Sequence, residues 1–344
     1  MATIRDERFA DLVLMCAERT LPPMLRPARA ALLVLAFAFL LAPAADLAQA
    51  TETRDLSVNG VKRTYRLYLP RDIFNGPLPV VIALHGAAQS ASEFEADLGM
   101  DRVADRERFA VVYPIGFNRV WEDSRPPALR LEFAFKPGDD VAFLTALVHS
   151  LVREGIADRT RIYMTGLSMG GFMTARMACE QADLFAAIAV MAATVPKKYR
   201  TTCRPSRAMP LLLMHGTLDP ISSWYGVFLP GAELLSAPET AKFFAELGGC
   251  MTSSDYALPG RNSAERSVVT VRRYSLCSEN AAVALYSIGG GGHLPPSFDS
   301  GRGESFVSNF LSERSHAIDA AEEIWSFFRQ FRREAFPQRG ISAQ

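Results

Sequence analysis

Ser168 lies in the run Thr165-Gly166-Leu167-Ser168-Met169-Gly170-Gly171, a G-x-S-x-G pentapeptide with a further glycine behind it. Residues 160–164 before it read as a strand and residues 172–178 after it as a helix. A serine on a sharp strand-to-helix turn is pushed out of the backbone with its hydroxyl exposed. The helix N-terminus behind it offers free N–H groups to an anion. The chemistry this suggests is nucleophilic attack on a carbonyl carbon. A serine hydroxyl is a poor nucleophile at neutral pH, so it needs a base, and the base needs an orienting acid.

The chain has five histidines, which keeps the search for a base short. His293 follows Gly289-Gly290-Gly291-Gly292 directly after a strand-like run, and it is downstream of both the serine and any suitable acid. His85 and His215 precede glycines at strand ends but come too early for the order Ser, acid, His. His149 falls inside a helical segment and His316 at the start of another, so both read as surface, packing or cap positions. The acid is expected on a loop after a strand between Ser168 and His293. Asp219 fits, a short turn beyond the run 210–214, with Asp255 and Glu246 as weaker rivals. A turn aspartate before Pro220 is the alternative for Asp219.

Attack on a carbonyl builds charge on its oxygen, and two backbone N–H groups should meet it. Those of Met169, next to the nucleophile, and Ala87, in the loop His85-Gly86-Ala87 after an early strand, are the candidates. No metal or other cofactor is expected, and no C-x-x-C spacing of a zinc or redox site is present.

These groups need a scaffold that gathers strand ends. Residues 63–69 alternate and predict a half-exposed antiparallel strand. Residues 78–84 are continuously apolar, as in a buried parallel strand. Further strands are expected at 109–114, 184–191, 210–214, 267–275 and 283–288. Helices are expected near 100–108, from Asp139 or Asp140 as N-cap to Gly155, at 238–247 and at 318–331. Residues 115–137 read as irregular. From residue 79 onward strands and helices alternate, which predicts an α/β fold: a mostly parallel twisted sheet with helices on both faces.

The 344 residues are 49% apolar and 22% charged, ordinary for a globular enzyme. Net charge is zero, which points away from nucleic acid or an anionic membrane as partner. Residues 1–50 read as a leader. Arg26 and Arg29 precede a twelve-residue apolar stretch, 31–42, and Ala48-Gln49-Ala50 follows it. That order describes a secretory signal, too short to be a comfortable membrane anchor, with Met24 as a possible true start. Residues 51–344 then form one catalytic domain, secreted to the extracellular space or periplasm. Cys16 lies in the leader. Cys179, Cys203, Cys250 and Cys277 remain and allow three pairings. The local set, Cys179–Cys203 and Cys250–Cys277, is favoured over free thiols for an exported chain, each closing a loop of about 25 residues.

Taken in order, Leu84-His85-Gly86, Asp139-Asp140-Val141-Ala142-Phe143-Leu144, the Gly166–Gly171 motif, His215-Gly216-Thr217-Leu218-Asp219 and Gly290-Gly291-Gly292-His293 resemble one known family. It is the secreted polyhydroxybutyrate depolymerase and feruloyl esterase family of α/β-hydrolases, and the resemblance covers nearly all of residues 55–335. It implies an α/β-hydrolase fold, a Ser168–Asp219–His293 triad, ester hydrolysis through an acyl-enzyme, and pairing of Cys250 with Cys277. Two segments depart from the family pattern. Val120-Trp121-Glu122-Asp123 stands where the family often has Trp-Asn and a cysteine, and Leu294-Pro295-Pro296 where it usually has an aromatic residue near a proline. His85, Trp121 and Leu294 are the candidates to line substrate, with a core position as the alternative for Trp121. The expected partner is an ester, either a polyester oligomer or a plant cell-wall ester; the sequence does not fix the oligomeric state. Without an appended adsorption module, soluble or oligomeric substrates are expected. A serine peptidase of the prolyl-oligopeptidase type is a second enzyme reading, disfavoured because no propeller domain fits. A non-catalytic hydrolase-fold binding protein is disfavoured because serine, acid and histidine are all present.

Overall fold

A computed structural model describes residues 51–71, 76–129, 139–259, 267–278, 281–298 and 314–334. The expected leader 1–50, with Met24 and Cys16, lies outside the described residues, as do 130–138 and the end of the chain from 335.

The continuous apolar runs form parallel strands buried on both faces. They are β3 (Leu78–Leu84), β4 (Ala110–Pro114), β5 (Ala157–Leu167), β6 (Ala187–Met191), β7 (Leu211–Gly216) and β10 (Val283–Ile288). Antiparallel strands flank them: β1 (Glu52–Val58) and β2 (Val61–Tyr68) on one side, β8 (Thr252–Ala257) and β9 (Val269–Ser275) on the other. The order across the sheet is β1-β2-β4-β3-β5-β6-β7-β10-β9-β8. The chain winds outward from β3 to β4, then returns to lay β5 on the other side of β3. That reversal opens a crevice outside the carboxyl ends of β3 and β5, where α/β sheets bind ligands. The loops bearing Ala87 and Ser168 leave the sheet there.

Helices cover both faces. On one, α3 (Asp140–Arg153), α4 (Met169–Glu180) and α6 (Ala237–Leu247) bury Phe143, Leu147, Met173 and Phe244 against β3, β5, β6 and β7. On the other, α1 (Ala91–Leu98), α2 (Met100–Glu107) and α7 (Ala320–Phe328) bury Phe94, Val103, Ile324 and Phe328. A short helix, α5 (Tyr199–Thr202), follows β6. Local capping signals set several helix starts. Ser90 and Glu93 form a reciprocal capping box at α1, Ser236 and Glu239 do the same at α6, and Asp139 accepts from the Ala142 amide at α3.

Cys179 at the end of α4 is bonded to Cys203 just after α5, and Cys250 after α6 to Cys277 after β9. The first bond ties the helix behind Ser168 to the segment following β6. Replacing both Cys179 and Cys203 with alanine should lower stability by about 3 kcal/mol in urea unfolding, because the denatured chain regains a loop of 24 residues. An unchanged urea midpoint would contradict that role.

Candidate active site

The Ser168 turn is built by close backbone approach. Ser168 has φ 53° and ψ −117°, a conformation that a non-glycine residue adopts only when its surroundings enforce it. The surroundings here are packed main chain. A Cβ on Gly166 would lie 2.3 Å from the Gly170 carbonyl oxygen, one on Gly170 2.3 Å from that of Leu84, and one on Gly171 2.8 Å from the Ala193 Cβ. The motif glycines therefore let α4 start against the ends of β3 and β6. The Ser168 amide donates to the Met191 carbonyl at 2.9 Å, which pins the turn to β6. Ser168 makes no side-chain cap bond to its own helix. The Met169 amide, first in α4, points out of the helix start with no partner within the helix.

Residues 85–89 form a braced loop against this turn. A Cβ on Gly86 would sit 3.7 Å from that of Ser168. The Gly86 amide donates to Gln89 Oε1 at 3.1 Å, and the Ala88 amide to the Arg119 carbonyl at 2.9 Å. Both neighbours of Ala87 thus have their N–H groups engaged. Among the hydrogen bonds of the described residues, the Ala87 amide has no acceptor.

His85 and Trp121 are corrected here. Both are 0% exposed, so neither forms the surface of a substrate wall. His85 spends both ring nitrogens on the backbone: Nδ1 donates to the Gly86 carbonyl at 2.8 Å and Nε2 accepts from the Gly116 amide at 3.1 Å. Burial holds its pKa down to about 4, so the ring stays neutral. The Trp121 indole donates to the His85 carbonyl at 2.9 Å and packs on the imidazole with ring centroids 4.9 Å apart. The pair holds the Ala87 loop in place from beneath. The residue after Trp121 is held by Asp140, one of the two cap candidates in the sequence. Asp139 makes the cap; Asp140 is buried, paired with Arg63 at 2.6 Å, and accepts from the Glu122 amide at 2.7 Å. Burial lifts the Asp140 carboxyl above its usual range, against the Glu122 amide and Arg63.

Asp219 and His293 meet at the carboxyl ends of β7 and β10. The His293 Nδ1–H donates to the carboxylate, with Oδ1 at 2.9 Å and Oδ2 at 2.8 Å. Oδ1 also accepts from the amides of Ile221 and Ser222. Burial pushes the Asp219 carboxyl up, but the His293 hydrogen bond and charge and the two amides outweigh it and hold it below its ordinary range. Behind it His215, kept neutral by burial, donates from Nε2 to the Ser222 carbonyl at 2.7 Å and so secures the turn that presents Asp219. Sequence reading set His215 aside for its early position; its place one turn before Asp219 was the available signal.

A missing side chain permits this meeting. A Cβ on Gly216 would lie 2.3 Å from both the Gly291 and Gly292 carbonyl oxygens. The two loops also zip together through Thr217 N to Ile288 O, Leu218 N to Gly291 O and Gly290 N to Thr217 Oγ1.

The structure thus brings Asp219 onto His293 and the Ala87 loop onto Ser168, all at one edge of the sheet. His293 Nε2 is left for a proton from outside the Asp219 pair, and Ser168 Oγ is not among the ring's hydrogen-bond partners in this structure. Such contacts commonly tighten only with substrate in place. Leu294 is half-buried beside His293. The rival residues lie elsewhere: Asp255 is paired with Arg272 on β8, Glu246 and His149 are exposed on helices, and His316 bonds the Ser297 carbonyl.

The neutral His85 generates a pH dependence. Its folded pKa, about 4, is below the ordinary 6.5, so the unfolded chain binds the proton more readily. Stability should fall as pH drops from about 6.5 to about 4, with His85 accounting for about 3 kcal/mol of the fall. Urea titrations across that range should show a shallower fall for His85→Asn; an identical slope would contradict the burial argument.

The family described as Esterase PHB depolymerase matches residues 63–221. NocK of Nocardia uniformis subsp. tsuyamanensis is 29% identical over 272 residues, 74% of this chain and 76% of that one. Feruloyl esterase B of Piromyces equi is 27% identical over 239 residues, 67% of this chain, and the chain spans 42% of that enzyme's length. The structure of acetyl xylan esterase from Aspergillus awamori superposes with a TM-score of 0.53 at 16% identity, covering 81% of this chain and 99% of that one, which shows the α/β-hydrolase fold. By these comparisons the chain is an α/β-hydrolase similar to carboxylic ester hydrolases of the polyhydroxybutyrate depolymerase and feruloyl esterase kind.

Proposed function

We propose that the protein is a secreted serine esterase in which Ser168, His293 and Asp219 act as nucleophile, base and orienting acid. The observation that carries this reading is the buried Asp219–His293 pair on the same sheet edge as a strained Ser168, beside the Met169 and Ala87 amides, which have no hydrogen-bond acceptor among the described residues. In the proposed reaction Ser168 Oγ attacks the ester carbonyl carbon while its proton passes to His293 Nε2. The carbonyl oxygen becomes an oxyanion that accepts from the Met169 and Ala87 amides. His293 then gives the proton to the departing alcohol oxygen, and the C–O bond breaks to leave an acyl-Ser168 ester. Water, losing a proton to His293, attacks that ester; as the acyl C–O bond breaks, His293 returns the proton to Ser168 Oγ and the acid is released. Asp219 keeps its negative charge throughout and stabilises the imidazolium.

Carboxylic esters of hydroxyalkanoate, feruloyl or acetyl type are the substrate class that the relatives' names support. Export is supported by the leader composition of residues 1–50 and by the two disulfides.

With a short p-nitrophenyl ester, Ser168→Ala should lower kcat by about 10⁴-fold or more with an unchanged circular dichroism spectrum. Asp219→Asn should lose on the order of 10³–10⁴-fold, mainly in kcat, because the ring loses its orienting charge. Near-wild-type turnover by Ser168→Ala would end the proposal.

A further inference from the structure

The amides proposed to receive the oxyanion sit on two different loops, one leaving β3 with Ala87 and one leaving β5 with Ser168 and Met169. Two N–H groups serve one oxygen only if each lies about 3 Å from it, so the spacing between the loops matters as much as the place of either. A third segment, residues 116–122 after β4, is bonded to both.

On the Ala87 side, the Gly116 amide donates to His85 Nε2 at 3.1 Å, the Ala88 amide to the Arg119 carbonyl at 2.9 Å, and the Trp121 indole to the His85 carbonyl at 2.9 Å. On the Ser168 side, the Trp121 backbone amide donates to Met169 Sδ at 3.2 Å, and Arg176 of α4 donates to the Glu122 carbonyl. Trp121 therefore spends its indole N–H on one loop and its backbone N–H on the other. The second of these goes to the very residue whose amide is the other oxyanion donor. Trp121 and Met169 are both buried, so water does not compete for either bond.

Packing fixes Trp121 in turn. A Cβ on Gly116 would lie 2.3 Å from the Val120 carbonyl oxygen and 3.3 Å from Trp121 Cδ2, so the segment folds back with the indole against main chain. The Asp123 amide donates to the Trp121 carbonyl at 2.9 Å, and Asp140 holds the Glu122 amide. The junction with the Ala87 loop is strained. Its φ values are 61° at Ala88, 51° at Asn118 and 61° at Arg119, left-handed conformations at residues that carry side chains. Such conformations persist only where the surrounding contacts impose them. Loosening the Trp121 clamp lets this junction relax and moves the Ala87 amide relative to that of Met169.

Building on the esterase reading, we infer that Trp121 is a positioning residue that sets the distance between the Ala87 and Met169 amides. It touches no reacting atom. Its effect is felt when negative charge develops on the substrate oxygen, not when the ester first binds.

Trp121→Phe removes the indole N–H. Because it also leaves a gap in the core, a second variant replaces the indole by benzothiophene through an unnatural amino acid, which keeps the shape and loses only the N–H. Met169→Leu removes the sulfur acceptor at nearly constant volume. Each is assayed on p-nitrophenyl butyrate, with active sites counted by fluorophosphonate titration, and with an alkyl trifluoromethyl ketone and its unfluorinated methyl ketone as inhibitors. On the trifluoromethyl ketone, Ser168 Oγ bonds to the carbonyl carbon, its proton passes to His293 Nε2, and the carbonyl π electrons move onto the oxygen facing the two amides. The methyl ketone stays trigonal and reports ordinary binding. In both Trp121 variants kcat per active site should fall about tenfold and the trifluoromethyl ketone should bind about tenfold more weakly, while KM and methyl ketone inhibition change by less than about twofold. Met169→Leu should move the same two quantities together by a smaller factor. Unchanged kcat and trifluoromethyl ketone binding in the benzothiophene variant would overturn the inference. So would equal weakening of both ketones, the result expected of a substrate wall or of general loosening. A parent protein that neither cleaves the ester nor adds to the trifluoromethyl ketone would count against the esterase reading itself, and against this inference with it.

Discussion

The hydrogen bond between Asp219 and His293 requires loops from two neighbouring parallel strands to touch backbone to backbone. Gly216 is where that contact is decided, since a Cβ there would occupy the positions of the Gly291 and Gly292 carbonyl oxygens. The same constraint recurs two and three strands away at the Ser168 turn, where Gly166, Gly170 and Gly171 allow α4 to start against β3 and β6. Between β5 and β10 lie three strand spacings, about 14 Å at the usual separation. Crossing that width falls to the loops that leave the strand ends.

Buried hydrogen bonds then fix each loop. Arg63 neutralises Asp140 inside the protein, Asp140 holds the Glu122 amide, Trp121 holds the His85 carbonyl, and His85 holds Gly86 and Gly116. The chain of contacts ends one residue from the Ala87 amide. His215 does the same for Asp219 through Ser222. Buried polar groups of this kind are costly unless every partner is supplied, so each link constrains the next.

Much of this was legible because apolar runs and glycine-flanked motifs report strands and their ends directly. Strands β3, β4, β7 and β10, and the position of Ser168 between β5 and α4, follow from that pattern. Other elements left weaker traces. Strand β8, Thr-Ser-Ser-Asp-Tyr-Ala, is exposed along its whole length, so no alternation marks it. Strand β1 is mostly polar, and its pairing with β2 supplies what its composition does not. Helix α1 could have been read from Ser90 and Glu93, a capping box. His85 was expected to line substrate, and for Trp121 the core position weighed as its alternative is the one found; motif position says nothing of burial, and the polar atoms of both bond the backbone.

The account turns on Ser168 being nucleophilic because His293 takes its proton. Labelling with a fluorophosphonate, followed by peptide mass spectrometry, tests this most directly. The account predicts one adduct, on Ser168, formed at least about 10³-fold more slowly when His293 is replaced by alanine. An adduct on another residue, or labelling of Ser168 at the same rate without the imidazole, would contradict it.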